Sequence, residues 1–99
     1  MVFIVSEKEG QHGMLLVVTD KEIVGKIFTE GKRQLDLTKD FYQGKDASKE
    51  DIAKLFFEAR DLHLTGKHSV ALGIELGYVD AQHILYVKSV PHAQVAVMG

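Results

Sequence analysis

The sequence predicts an α+β fold: a mainly antiparallel sheet of about four to six strands, with a helical hairpin packed on one face. Three observations point there. Two continuous apolar runs rich in β-branched residues, "VFIV" (Val2–Val5) and "LLVV" (Leu15–Val18), stand on either side of a polar turn. A helical periodicity opens after Ser48, and an alternating segment, "VPHAQVAV", closes the chain. With 99 residues, 45% hydrophobic and 26% charged, residues 1–99 are expected to form one compact domain that builds its own core.

The two apolar runs suit strands covered on both faces. Gly10 and Gly13 in the intervening "SEKEGQHG" supply turn geometry for an antiparallel hairpin. In "TDKEIVGK", Thr19 or Asp20 is placed to cap a single helical turn closed by Gly25. "KIFTEGKRQLDL" alternates across a turn at Glu30–Gly31–Lys32 and sends Leu35 and Leu37 to one face. A second hairpin, Ile27–Leu37, is therefore expected at an edge or projecting from the body. "TKDFYQGKD" reads as a loop anchored by Phe41 and Tyr42, with Gly44 at its turn.

Ser48 followed by Asp51 approaches a capping box, and Glu50 and Asp51 suit the positive end of a helix. Ile52, Leu55, Phe56, Ala59 and Leu62 then recur at helical spacing, which predicts a helix over Ser48–His63. "LTG" breaks it, and a second helix is expected over Lys67–Leu76, ended by Gly77. Gly73 in its middle costs about 1 kcal/mol of helix propensity relative to alanine, a loss that makes sense where another backbone passes close. The second helix is thus expected between the first helix and the sheet. Asp80 is placed to cap a further turn, and "ILYVK" (Ile84–Lys88) reads as a buried strand.

Beyond Pro91, which drives Val90 into extended geometry, alternation puts Pro91, Ala93, Val95 and Val97 on one face and His92 and Gln94 on the other. A half-exposed edge strand gives this pattern with no function. The functional alternative is a small polar platform in a cleft, where an imidazole donates or accepts and an amide orients a ligand. Catalysis by His92 would need a carboxylate partner and donors for a developing charge. The sequence singles out neither, so no catalytic residue is assigned.

Several function classes are excluded or weakened by composition. Cysteine is absent, which removes disulfides, thiol nucleophiles and thiolate zinc sites. His63 and His68 straddle the expected helix break and could approach each other, yet neither HxxxH nor HxH occurs, and no metal site or cofactor is expected. For His63, at an expected helix C-terminus, the dipole favours the protonated form. His12 and His83 read as surface residues. "TGKH" precedes a helix whose free amides could meet an anion, but the phosphate-loop spacing is missing. No apolar run approaches the roughly 18 residues of a membrane helix, and the start lacks the basic region of a signal peptide. A cytoplasmic protein is expected. The net charge of −2 excludes a strongly basic nucleic-acid binder but leaves room for a local patch at Lys26, Lys32 and Arg33.

The order "VVTDKEIVGKIFTEG", "LDLTKDFYQG", "LTGKHSVALGIELGYVD" and "VPHAQ" resembles, over nearly the whole chain, a family of small stand-alone archaeal proteins catalogued only as a domain of unknown function. "FYQG" and "VPHAQ", with Gly66 and Gly77 bracketing the second helix, carry most of that resemblance. It implies an intracellular archaeal protein and supplies no activity, cofactor or catalytic residue; a loose tie to translation ranks the function hypotheses.

Two hypotheses follow. The first is a non-enzymatic binding module for RNA or a translation-associated protein, using Lys26, Lys32, Arg33, Phe41 and Tyr42 as a basic–aromatic surface. The second is a small enzyme or ligand-binding protein centred on His92 and Gln94. Contact between the tail and the aromatic loop would merge the two sites. Homodimerisation through an uncovered sheet edge or an apolar patch is compatible with the sequence.

Overall fold

The computed structural model describes residues 2–97. Eight strands and two α-helices follow in the order β1 (Phe3–Gly10), β2 (Gly13–Asp20), β3 (Ile27–Glu30), β4 (Arg33–Asp36), β5 (Lys45–Ala47), α1 (Lys49–Glu58), β6 (Asp61–Thr65), α2 (Lys67–Glu75), β7 (Leu85–Val87) and β8 (Val90–Ala96). Short 3-10 turns at Lys21–Ile23, Asp40–Tyr42 and Ala81–His83 link them. Six strands form one sheet in the order β5-β1-β2-β6-β8-β7, while β3 and β4 pair separately. Within the large sheet only β2 and β6 run parallel. The expected α+β class and mainly antiparallel sheet are observed.

Alternation sorts the sheet's side chains. Phe3, Val5, Leu16, Val18, Leu62, Leu64 and Ala93 face the helices and pack with Ile52 and Phe56 of α1 and Val70 and Leu72 of α2. Each such large side chain taken from water contributes roughly 1.5–3 kcal/mol. On the opposite face, Leu35 and Leu37 of the second hairpin bury against Val87, with Ile23, Phe28, Tyr42 and Val90 around them. That hairpin therefore covers part of the second face.

The link between the helices differs from the expectation. Helix α1 begins at the predicted capping box: Ser48 Oγ accepts from Asp51 N at 3.2 Å, and Asp51 Oδ2 accepts from Ser48 N at 3.4 Å. It stops at Glu58, and Asp61–Thr65 is a strand pairing with β2 and β8, so the two helices are joined through β6. Ala59 and Leu62 are buried as the periodicity requires, but they lie beyond the helix. Pairing on two sides outweighs helix propensity here. Helix α2 packs directly on β2, β6 and β8. A Cβ on Gly73 would lie 2.6 Å from Leu64 Cδ1 and Val79 Cγ2, so the glycine admits side chains from beneath, where a backbone was expected. The segment Leu85–Val87 is an edge strand with Leu85 61% and Tyr86 50% exposed, in contrast to the buried strand read from "ILYVK".

Asp20 takes a role the sequence reading did not give it. Its side chain caps nothing in the adjoining 3-10 turn. Buried at 2% exposure, its carboxylate accepts from His68 N (3.0 Å), Ser69 N (2.8 Å) and Ser69 Oγ (2.7 Å) at the start of α2. Two amides at this helix start, those of His68 and Ser69, are thus filled from within the chain. Gly66 (φ +106°) is required alongside, because a Cβ there would lie 2.3 Å from Asp20 Cγ.

Asp20→Ala strands two amides and a hydroxyl and is expected to lower the unfolding free energy by about 2–4 kcal/mol. Gly66→Ala should destabilise through the same contact, so the double variant should lose less than the sum of the two in urea denaturation.

Candidate functional site

Strand alternation and cross-strand register build a polar row on the sheet face away from the helices. Thr65 of β6 stands opposite His92 of β8, and His63 opposite Gln94. Thr65 Oγ1 and His92 Nδ1 are 2.9 Å apart, and Gln94 Nε2 lies 3.4 Å from His92 Nε2. With the Gln94 amide as donor, His92 is the tautomer protonated at Nδ1 and donates to Thr65. The two imidazoles meet edge to face, with centroids 4.3 Å apart. Phe41 and Tyr42, on the 3-10 turn above, close on His63 at 4.7 and 5.9 Å. Gly44 lets that segment pass β1: a Cβ there would lie 2.1 Å from the Val5 carbonyl oxygen.

Among the described residues no carboxylate pairs with His63 or His92 to balance a charged ring. Burial depresses the His63 pKa to about 3, with the nearby His92 adding to the effect, and burial also lowers that of His92. Both rings are neutral at pH 7. The expected protonation of His63 by a helix dipole is therefore corrected: the residue sits in a strand and is partly buried. His63 Nε2 and, one strand away from Thr65, Thr19 Oγ1 are buried without a hydrogen-bond partner.

Beside the row opens a cleft of about 470 Å³ lined by His12, Leu15, Asp61, His63, Gln94 and Val95, among others. His12 Nδ1 comes within 3.6 Å of Asp61 Oδ2 at its rim. The lining contains no lysine or arginine.

The tail and the aromatic loop do meet, through His63. Lys26, Lys32 and Arg33 are exposed on or beside the second hairpin, and the cation over Phe41 is Lys8, 5.4 Å from the ring centroid. Arg33 instead donates to the Tyr86 carbonyl at 3.4 Å. His68 lies apart from His63, near Glu22 at 3.8 Å. Asp20, Glu22 and His68 bring ligand atoms within 4.8 Å of one another, but Asp20 is already committed to α2. His63, Asp61 and Thr65 were missed as site residues. The signal was the period-2 pattern of "DLHLT", hidden because Leu62 also continued the helical spacing.

The family model described as "Protein of unknown function (DUF424)" matches residues 7–98. None of the functionally curated proteins matches the chain. Among solved structures, an uncharacterized conserved protein from Methanopyrus kandleri superposes with a TM-score of 0.81 at 18% identity, over 100% of this chain and 96% of that one. At that identity the likeness speaks for the fold alone.

The depressed pKa values set a pH dependence. In the unfolded chain both histidines take up protons as pH falls through about 6.5, whereas folded His63 resists until about 3. Their contribution to stability is complete above the unfolded value and declines as pH falls below it. Melting temperatures measured from pH 7.5 to 4 should drop below pH 6.5, and His63→Phe should flatten that slope; an unchanged slope would contradict the assignment.

Proposed function

The chain belongs to the DUF424 family, a family of unknown function, and from that premise we propose that it is a non-enzymatic binding module. Its ligand would occupy the cleft between the β1–β2 turn and the adjoining ends of β6 and β8. The observation that carries this reading is the pair of neutral imidazoles without a carboxylate partner. General acid–base catalysis at neutral pH calls for a group titrating near that pH, and His63 titrates at about 3. The imidazole–carboxylate contact at the cleft, His12 with Asp61, has an exposed histidine at a turn. Such a site binds through hydrogen bonds and shape.

The lining also defines the ligand's charge. Asp61 contributes a carboxylate, Gln94 an amide and His63 a neutral ring, with no lysine or arginine beside them. An uncharged or cationic molecule with hydrogen-bonding groups fits, and the volume lies within the usual range for small-ligand sites. The RNA reading has less behind it. Phosphate neutralisation needs cations, which this lining lacks, and Phe41 and Tyr42 are half-buried against His63.

Titration of isotope-labelled protein with N-acetyl-lysine methylamide, adenosine and adenosine monophosphate, followed by NMR, tests the reading. The first two should shift the Gln94 side-chain amide and the His63 ring at millimolar concentration, and the monophosphate should bind more weakly than adenosine. Gln94→Ala should weaken binding by about three- to tenfold, the worth of one hydrogen bond. Preference for the anionic probe, or shifts confined to other surfaces, would overturn the proposal.

A further inference from the structure

The large sheet has edges of unequal character. Strand β5, at one end, is short and carries Lys45 and Asp46, the kind of edge that resists adding another strand. Strand β7, at the other end, is held by the second hairpin: Arg33 Nη1 donates to the Tyr86 carbonyl, and Glu30 Oε1 accepts from Lys88 N at 3.0 Å. But β7 pairs only with Val90–His92 of β8. From Gln94 to Ala96, β8 has β6 on one side and no strand on the other among the described residues.

Backbone direction there follows from the observed bonds. Val97 N donates to Arg60 O at 2.7 Å, and Pro91 O accepts from Gly66 N at 2.9 Å, so the odd-numbered residues of β8 bond toward β6. By alternation along an antiparallel ladder, the amides and carbonyls of Gln94 and Ala96 point outward. The stretch "AQVAV" carries no charge to discourage pairing. Gln94, Val95 and Ala96 also line the cleft, which makes the open edge and the cleft one continuous surface.

We propose that this surface adds an extended peptide as a strand along β8 at Gln94–Ala96, with one lysine or arginine side chain of the peptide lying in the cleft against Asp61. The proposal rests on the cleft reading above and names its partner. Charge complementarity argues for this occupant, since the cleft lining offers a carboxylate and no lysine or arginine. Reach supports it as well. Ala96 stands directly opposite Asp61, so a residue beside Ala96 on an added strand lies two strand spacings, about 10 Å, from Asp61. The small side chain of Ala96 leaves the path between them low, and a long cationic side chain spans it. Main-chain bonds would supply affinity and the cleft would supply selection.

The probe is an acetylated, amidated pentapeptide, threonine–valine–lysine–valine–threonine, with versions carrying glutamate for lysine or N-methylated at the amides that would bond to β8. Binding of the lysine peptide should slow hydrogen exchange at the Gln94 and Ala96 amides by tenfold or more and leave Val95 unchanged. N-methylation and Ala96→Pro should each weaken binding by about tenfold, through lost main-chain bonds. The outward amide of Ala96 makes proline compatible with the sheet there, and the N-methylated peptide gives the same reading on the native chain. Asp61→Asn should erase the preference for lysine over glutamate. If N-acetyl-lysine methylamide occupies the cleft while the peptide protects neither amide, strand addition is wrong and the cleft reading stands. If the peptide protects both amides but charge at lysine and Asp61 is irrelevant, the cleft is not its subsite, which overturns the proposal. Protection that rises with protein concentration in the absence of peptide would identify a second copy as the occupant, and no binding by any probe would remove both readings.

Discussion

The arrangement depends on the buried carboxylate of Asp20. It ends β2 and holds the first turn of α2 through three hydrogen bonds. Because α2 follows directly on β6, this contact ties the far end of β6 to β2 and holds the parallel pair in register. Thr65 is thereby set beside Thr19, and His63 beside Val17. Strand β8 then pairs on the free side of β6 and brings His92 and Gln94 into the same row. A buried carboxylate needs hydrogen-bond donors in place of water, and the orphan amides of a helix start, with the Ser69 hydroxyl, supply them. The same amides cannot then serve an outside anion.

The two faces of the sheet serve different purposes. The helix face is a continuous apolar core in which large side chains are wholly buried. The opposite face is divided between a small apolar cluster under the second hairpin and the imidazole–amide row beside the cleft. Rings without a counter-charge remain neutral when water is excluded, which makes the row a set of hydrogen-bonding groups and leaves Asp61 as the formal negative charge of the cleft. Phe41 and Tyr42 belong to this face as its cover. Their rings lean on His63 and cover part of it, where a basic–aromatic platform for RNA would need them open.

Much of the local structure was legible in the sequence because local physics decides it. The first hairpin follows from two apolar runs around Gly10 and Gly13. The Ser48–Asp51 box marks the start of α1, and the alternation after Pro91 puts His92 and Gln94 on one side. Asp80 caps its turn by accepting from Gln82 N at 2.9 Å. The end of α1 was not legible, since neither glycine nor proline marks it and Leu62 satisfies helical and strand periods alike. Nor was the role of Asp20, whose partners lie 48 and 49 residues along the chain. Nearness in sequence favoured a cap on the adjoining turn.

What the sequence determined by itself is the class of fold, the helix starts, and which residues share a face in the second hairpin and in the tail. These follow from side-chain period, capping chemistry and the fixed geometry of proline, all of which act within a few residues. Only the tertiary structure decided that Asp61–Thr65 is a strand, that His63 meets His92, Phe41 and Tyr42, and that Asp61 and Gln94 share a cleft. Those outcomes turn on which strands become neighbours. That choice is made by burial and hydrogen bonding summed over the whole sheet, and no short stretch of chain contains it.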